Sequence, residues 1–257
     1  MSELSQAVDR YCLRRINGRY GLRLGEKYEP DDVFVVGYPK SGNTWMQNLL
    51  SCIHFGCDGQ RTPHSVAQHL VPDVHAQPYH VRFATPMIFK SHHLPRPDYR
   101  RVIYLLRDGR DVMVSYRYYL ECMHAATIRS YAELKRLSSF GTWHDHVASW
   151  LQNPFGAEVL VVKYESLVQD CVSQLRSICD FVGISADERF LQAAAESCSF
   201  ANLHAKESVS GMCGDWPRNK PFFRRGVVGS HRDELEAAFL DDFLGDARLT
   251  LLELEYL

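Results

Sequence analysis

The chain has no long apolar run. Nowhere do about twenty uncharged, apolar residues follow one another, which is the length a membrane-crossing helix needs. The stretch Met1–Arg15 carries Glu3, Asp9, Arg10, Arg14 and Arg15 where a secretory leader would need an apolar segment. A cytoplasmic protein with no membrane partner is expected. An excess of charge of one sign is also missing: 29 Lys and Arg stand against 31 Asp and Glu, a formal net charge of −2. No overall positive field can hold a nucleic-acid backbone, so any anion has to be captured locally. Paired cysteines are missing as well. Cys12, Cys52, Cys57, Cys122, Cys171, Cys179, Cys198 and Cys213 form no C-x-x-C pair and no zinc-like double pair, which favours reduced structural thiols and no metal.

What is present is ordinary globular composition, 46% hydrophobic and 23% charged over 257 residues. No repeat or low-complexity linker divides it, so 1–257 is expected to be a single domain. Short β-rich runs occur at Val33–Val36, Met87–Phe89, Val102–Leu106 and Val159–Val162, apolar on consecutive positions as strands buried on both faces are. Between them lie helical patterns at Thr44–His54, Asp108–Leu120 and Leu167–Val182, the last followed by Gly183 as a stop. Strand and helix alternate, which predicts an α/β fold with a parallel sheet between helical layers and ligands beyond the carboxyl ends of its strands. Cys57–Thr85 and Val209–Pro221 read as long surface loops that could shape a substrate site.

The most informative segment is Val35-Val36-Gly37-Tyr38-Pro39-Lys40-Ser41-Gly42-Asn43-Thr44-Trp45, a buried strand running through a glycine-containing turn into an amphipathic helix. Backbone N–H groups at a helix start bind phosphate with little help from side chains. Against the template G-x-x-x-x-G-K-[ST], Gly37, Gly42 and Thr44 match, but Asn43 takes the lysine position and Lys40 stands three residues earlier. The strand Val102–Leu106 ends in Arg107 where a magnesium-binding carboxylate would be expected, so the site reads as built around cations.

Here the chain resembles the sulfotransferase family of the cytosolic type. Tyr38-Pro39-Lys40-Ser41-Gly42-Asn43-Thr44-Trp45 is similar to that family's Tyr-Pro-Lys-Ser-Gly-Thr-Thr-Trp loop for the 5′-phosphosulfate. Arg107-Asp108-Gly109-Arg110-Asp111-Val112-Met113-Val114-Ser115 is similar to its Arg-x-x-x-Asp-x-x-x-Ser segment, and Phe223-Arg224-Arg225-Gly226-x-x-Gly229 to its Arg-Lys-Gly-x-x-Gly element. The motifs occur in family order over about three quarters of the chain. The resemblance implies a three-layer, P-loop nucleotide-hydrolase-like sulfotransferase fold. It also implies that 3′-phosphoadenosine 5′-phosphosulfate (PAPS) is co-substrate and the 3′,5′-bisphosphate PAP is product. By it, Lys40, Ser41, Gly42, Asn43, Thr44 and Trp45 form the loop for the 5′-phosphosulfate, with Trp45 also offering a flat face to the adenine; Arg107 and Ser115 bind the 3′-phosphate, and Arg224, Arg225 and the backbone of Gly226 close over the same nucleotide. Tyr164 and Phe200 match, more weakly, the family's aromatic residues near the adenine. Asn43 in place of the common threonine and Ser230-His231 in place of the usual Asp-Trp depart from the pattern. The family's dimer motif is not visible, so a monomer or weak homodimer is expected.

In Phe89-Lys90-Ser91-His92-His93, a strand delivers a lysine and two histidines to its end, similar to the family's Lys-x-His catalytic element. The expectation is sulfonate transfer to a hydroxyl or amine of a small-molecule acceptor, with His92 as general base and Lys40 and Lys90 stabilising the transferred and leaving groups. His92 is taken over His93 for its two-residue spacing from Lys90. His64, His69, His75 and His80 fit no metal-ligand spacing, and His144-Asp145-His146 reads as a solvated helix start. Tyr116, Tyr118, Tyr119, Trp143 and Trp150 could line an acceptor pocket, but at helical spacing most of them are expected to be core. The alternatives are a P-loop nucleotide kinase, which Asn43 disfavours, and a non-catalytic binder of PAPS or PAP.

Overall fold

The computed structural model describes residues 22–24, 27–77, 79–212 and 216–257. The leader reading at Met1–Arg15, together with Cys12 and Cys213, lies outside the described residues. Six strands are described: β1 (Leu22–Leu24), β2 (Val33–Val36), β3 (Tyr79–Val81), β4 (Ile88–Ser91), β5 (Arg101–Leu106) and β6 (Glu158–Lys163). β1 and β3 pair antiparallel, and the other four form one parallel sheet in the order β4-β2-β5-β6.

The consecutive apolar positions of the strands follow from two covered faces. Val33, Val35, Ile88, Ile103 and Leu105 face one layer, which holds α1 (Asn43–Phe55) and, later in the chain, α7 (Cys171–Val182) and α8 (Glu188–Ser197). Phe34, Val36, Phe89, Val102, Tyr104 and Leu106 face the other layer. That layer holds α3 (Gly109–His124), α4 (Tyr131–Leu137), α5 (Trp143–Gln152) and α11 (Ala237–Glu253). The three layers expected from the sequence are therefore present. Each fully buried strand side chain contributes roughly 1.5–3 kcal/mol relative to exposure, so Val33–Val36, all at 0% exposure, anchor the sheet. Trp143, Trp150 and Tyr116 are core, as anticipated.

The remaining helices are α2 (His64–Leu70), α6 (Tyr164–Gln169), α9 (Phe200–Ser210) and α10 (His231–Glu234). Several boundaries depart from the sequence reading, each for a local reason. The expected helix Leu167–Val182 is broken at Asp170, which leaves helical dihedrals to cap α7 by accepting from the Ser173 N–H at 3.0 Å. Gly183 then ends α7 in a left-handed conformation, as expected. β6 is not buried on both faces; it is one of the two outer strands in the order β4-β2-β5-β6, and Val161 is 44% exposed. Cys57–Thr85 is not one surface loop. It contains α2 and β3, and its Val71 carbonyl accepts from buried Gln47 Nε2 at 2.8 Å.

Because all four strands of the main sheet run the same way, their carboxyl ends meet at one edge. The register places Val36 beside both Ser91 and Tyr104, and Leu106 beside Lys163. The segments that follow β2, β4, β5 and β6 begin with Gly37, His92, Arg107 and Tyr164, and they converge there.

Candidate active site

At this edge a cavity of about 740 Å³ opens between the sheet and α9. Its floor is the turn after β2. Lys40 is held at φ 72° and Gly42 at φ 103°, which brings the chain into α1 without a side-chain cap or an acidic residue in the first turn. The first N–H groups of α1 have no intrahelical acceptor, and the helix dipole adds partial positive charge, so this end is built for an anion. Only glycine fits at position 42: a Cβ there would lie 2.9 Å from Tyr164 Cδ2. Asn43, at the lysine position of the phosphate-loop template, turns inward and donates Nδ2 to the Tyr38 carbonyl at 3.2 Å. Ser41 is 1% exposed and, unlike Lys40, Gly42, Asn43, Thr44 and Trp45, does not line the cavity.

Arg107 leaves β5 beneath this turn. Its Nη1 donates to the Lys40 carbonyl at 3.1 Å and its Nη2 to the Val227 carbonyl at 3.3 Å, while its guanidinium lies 4.1 Å from the centre of the Tyr164 ring. Its buried Nε has no protein partner. A buried guanidinium nitrogen left unpaired at a cavity wall is costly unless a ligand completes it, which fits a phosphate. Ser115, two turns into α3, lines the same wall. Arg224 and Arg225 face it too, and both pair with Glu234, Arg225 Nη1 at 2.7 Å. Trp45 and Tyr164 meet edge to face at 5.7 Å, and Trp45 Nε1 donates to the Cys198 carbonyl at 2.9 Å. The Phe200 ring lies against Gly226, where a Cβ would overlap it. All three rings line the cavity, where they offer apolar faces to a purine.

The other half of the cavity is where the histidines stand. His92 Nδ1 is 2.6 Å from the Gly37 carbonyl. That carbonyl can only accept, so Nδ1 carries the proton and Nε2 is left as an acceptor. Burial first, and then the Lys90 cation, hold the imidazole well below its usual range. It is therefore neutral at pH 7. His92 lines the cavity and His93 does not. Lys90 Nζ lies 2.7 Å from Asp73 Oδ2, an ion pair with both residues at 8% exposure. Lys40 Nζ rests 3.9 Å from the centre of the Phe222 ring. Burial, then Lys90 and Arg107, push its ammonium down to about 7.

Sequence reasoning misread or missed several neighbours. His146 is not at a solvated helix start. It is 0% exposed, with Nδ1 3.0 Å from Tyr104 Oη and Nε2 3.2 Å from the His92 carbonyl. The four histidines of the 57–85 region go different ways. His64 stacks on Phe223, His69 bonds the Ser65 carbonyl, His80 packs on Phe89, and His75 accepts the His92 backbone N–H at 2.9 Å. Tyr116, Tyr118 and Tyr119 line the cavity, Tyr116 within the core and Tyr119 packed against it, so most of the five aromatics are core as expected. Asp111, fully buried, accepts from Gly229 N at 2.6 Å, His231 N at 3.0 Å and His231 Nδ1 at 2.8 Å, and so fastens the Arg224–Gly229 loop to α3. Its place in the Arg107–Ser115 motif was a signal for this role. Asp73 and Glu234 carried none, because their partners lie far away or in an irregular loop.

This is an α/β architecture that presents main-chain amides and cations at one end of a parallel sheet, as enzymes that act on nucleotide anions do. A family model described as the sulfotransferase domain matches residues 30–245, and the chain belongs to that family. It is a sulfotransferase enzyme. Among similar proteins, Sulfotransferase 1E1 of Bos taurus is 27% identical over 246 residues, covering 85% of this chain and 83% of that protein. Sulfotransferase 1C2 of Homo sapiens is 27% identical over 236 residues, covering 82% and 79%. The fold is shared with a mouse sulfotransferase solved with PAP (TM-score 0.63, 22% identity, 91% of each chain). It is also shared with a retinol dehydratase solved with androsterone and PAP (TM-score 0.66, 19% identity, 88% of this chain and 82% of that one). Among the described residues, no helix is long and apolar enough to cross a membrane.

Proposed function

We propose that this chain, as a single sulfotransferase domain, transfers sulfonate from PAPS to the hydroxyl of an apolar, ring-sized acceptor, with His92 as general base. The observation that carries this reading is the His92 Nδ1 contact with Gly37, which leaves a neutral Nε2 on the wall of the cavity that Lys40, Lys90 and Arg107 also line. PAPS supplies the activated sulfonate. The free N–H groups of α1 and Lys40 would hold its 5′ end; Arg107, with its unpaired Nε, Ser115, Arg224, Arg225 and Gly226 would hold its 3′-phosphate. Trp45, Tyr164 and Phe200 would flank the adenine. Tyr119, Met123, Phe140, Trp216 and Phe222 make the remaining wall, which suits a phenol or an apolar alcohol.

In the reaction, His92 Nε2 takes the hydroxyl proton as the acceptor oxygen bonds to sulfur. The bond from sulfur to the phosphate-bridging oxygen breaks, and its electron pair leaves on PAP, where Lys40 offsets the new charge while Lys90 faces the transferred oxygens. The imidazolium then returns its proton to water. Loss of a general base costs about 10²–10⁴ in rate. His92→Ala is expected to lose about 10³ in kcat with PAPS and 2-naphthol while still binding PAP, and His93→Ala to stay within a few-fold of wild type. The reverse pattern rejects the assignment.

A further inference from the structure

The 72–77 segment is bound to β4 as if it were part of the sheet. Lys90 N donates to the Pro72 carbonyl at 2.9 Å and Val74 N to the Lys90 carbonyl at 3.0 Å. Between these bonds Asp73 turns inward. Its Oδ2 meets Lys90 Nζ at 2.7 Å, and its Oδ1 accepts from His75 N at 2.9 Å. His75 in turn accepts the His92 N–H through Nε2 at 2.9 Å, and its ring stacks on that of His92 with centroids 5.6 Å apart. One buried carboxylate thus connects the lysine and the base of the proposed reaction. It touches neither reacting atom in the proposed transfer.

The charged and titratable groups about His92 are Lys90 in the preceding β4, Asp73 and His75 on the 72–77 segment, the neighbouring His93, and His146 on α5, with Lys40 lining the same cavity. Asp73 is the one carboxylate in this set. The Lys90 ammonium beside an imidazole makes it a poor base, because protonating it would add a second positive charge. A base able to take a proton in that surrounding needs a fixed negative charge nearby, and burial makes such a charge act strongly.

We propose that Asp73 is a positioning residue for sulfonate transfer: it holds the Lys90 ammonium in place, and its charge offsets the surrounding cations so that His92 remains able to accept the acceptor's proton. This rests on the reading of His92 as the base. The direction agrees with the electrostatics of the site, since Lys90 depresses the His92 imidazole and Asp73 acts against it. The Asp73 carboxyl is itself raised by burial, but Lys90 and His92 outweigh that and hold it below its usual range, so it stays ionised at pH 7.

Asp73→Asn is nearly the same shape and keeps one acceptor oxygen, for Lys90 or for His75 N, but it removes the charge. In the donor-bound enzyme, the acid limb of kcat against pH should move down by about one unit, and kcat at pH 7.5 should fall about tenfold as the base weakens. PAP, itself an anion, should bind with equal or up to about tenfold tighter Kd, because a negative charge has left its site. A purely structural role would instead weaken PAP binding and turnover together with no movement of the acid limb. That result overturns the proposal, as does loss of fold in both Asp73→Asn and the smaller Asp73→Ser. If His92→Ala keeps its turnover, the base assignment falls and takes this inference with it. An inactive His92→Ala with an unmoved Asp73→Asn profile sinks this inference alone.

Discussion

Lys40 offers the sharpest quantitative test, because its ammonium is held at about 7 in the donor-free protein by burial and by Lys90 and Arg107. A dianionic phosphate beside it would restore the lysine to at least its ordinary value of 10.5. Moving the ammonium from about 7 back to 10.5 corresponds to a coupling on the order of 5 kcal/mol between proton and nucleotide. Above pH 7, binding of PAP then draws in one proton. Affinity should fall about tenfold per pH unit from near pH 7.5 to 9.5. Isothermal titration at pH 8.5 in two buffers of different ionisation enthalpy should report uptake of about one proton. Lys40→Arg, which stays protonated throughout, should flatten the dependence. The same depressed ammonium burdens the empty site. Its folded value lies below its unfolded one, so the stability it contributes is present above pH 10.5 and lost as pH falls toward 7. Lys40→Met should therefore raise the thermal midpoint of the donor-free protein at pH 7 while weakening PAP binding. A PAP affinity that is flat between pH 7.5 and 9.5, with no proton uptake, refutes the reasoning.

Three further outcomes follow from single contacts. Arg107→Met removes the guanidinium with the unpaired Nε; the preference for PAP over adenosine 5′-phosphate, measured by competitive binding, should shrink by about 10²-fold. Asp111→Ala leaves the N–H groups of Gly229 and His231 without their acceptor, at a cost of about 3 kcal/mol, read calorimetrically as a midpoint about 8 °C lower. Burial raises the Asp111 carboxyl, but His231 and Gly229 outweigh it and hold the group below 3.8, so wild-type stability from this contact is present at neutral pH and lost as acid titrates through that lowered value. Gly226→Ala, at φ 65° and against the Phe200 ring, should weaken PAP about tenfold by fluorescence titration with a stability loss near 1 kcal/mol.

What was legible in the sequence was whatever depends on near neighbours. Val33–Val36 reads as a doubly buried strand and is one, because four consecutive apolar residues leave no solvent-facing position. Gly183 stops α7 for a reason carried by a single residue, its tolerance of a left-handed backbone. The phosphate turn was visible for the same cause: strand, glycines and helix start are contiguous. The unreadable parts are set by partners far along the chain. The break at Asp170 competes locally between capping and helix continuation, and periodicity alone does not decide between them. Asp73 and Lys90 pair across seventeen residues, and His146 meets the His92 carbonyl across fifty-four; nothing near either residue in the sequence announces the contact. The polar character of His144-Asp145-His146 pointed outward, yet one of the three turns in because buried Tyr104 needs a partner.

The cations of this site are held by groups that a bound phosphate could relieve. Arg107 gives two of its donors to the carbonyls of Lys40 and Val227, so it ties the turn after β2 to the loop carrying Arg224 and Arg225 before any ligand arrives. Glu234 receives both of those arginines, and Asp111 pins the far end of the same loop. Main-chain carbonyls carry only partial charge and Glu234 carries one full charge for two guanidinium groups, so the positive potential at the cavity wall is reduced but not cancelled. The loop is thereby placed without being neutralised. Asp73 differs from these, since it forms a buried one-to-one ion pair with Lys90 on the side of the cavity where His75 and His92 stand. Two kinds of counter-charge thus sit in one cavity: weak or shared ones at Arg107, Arg224 and Arg225, and one full, buried carboxylate at Lys90.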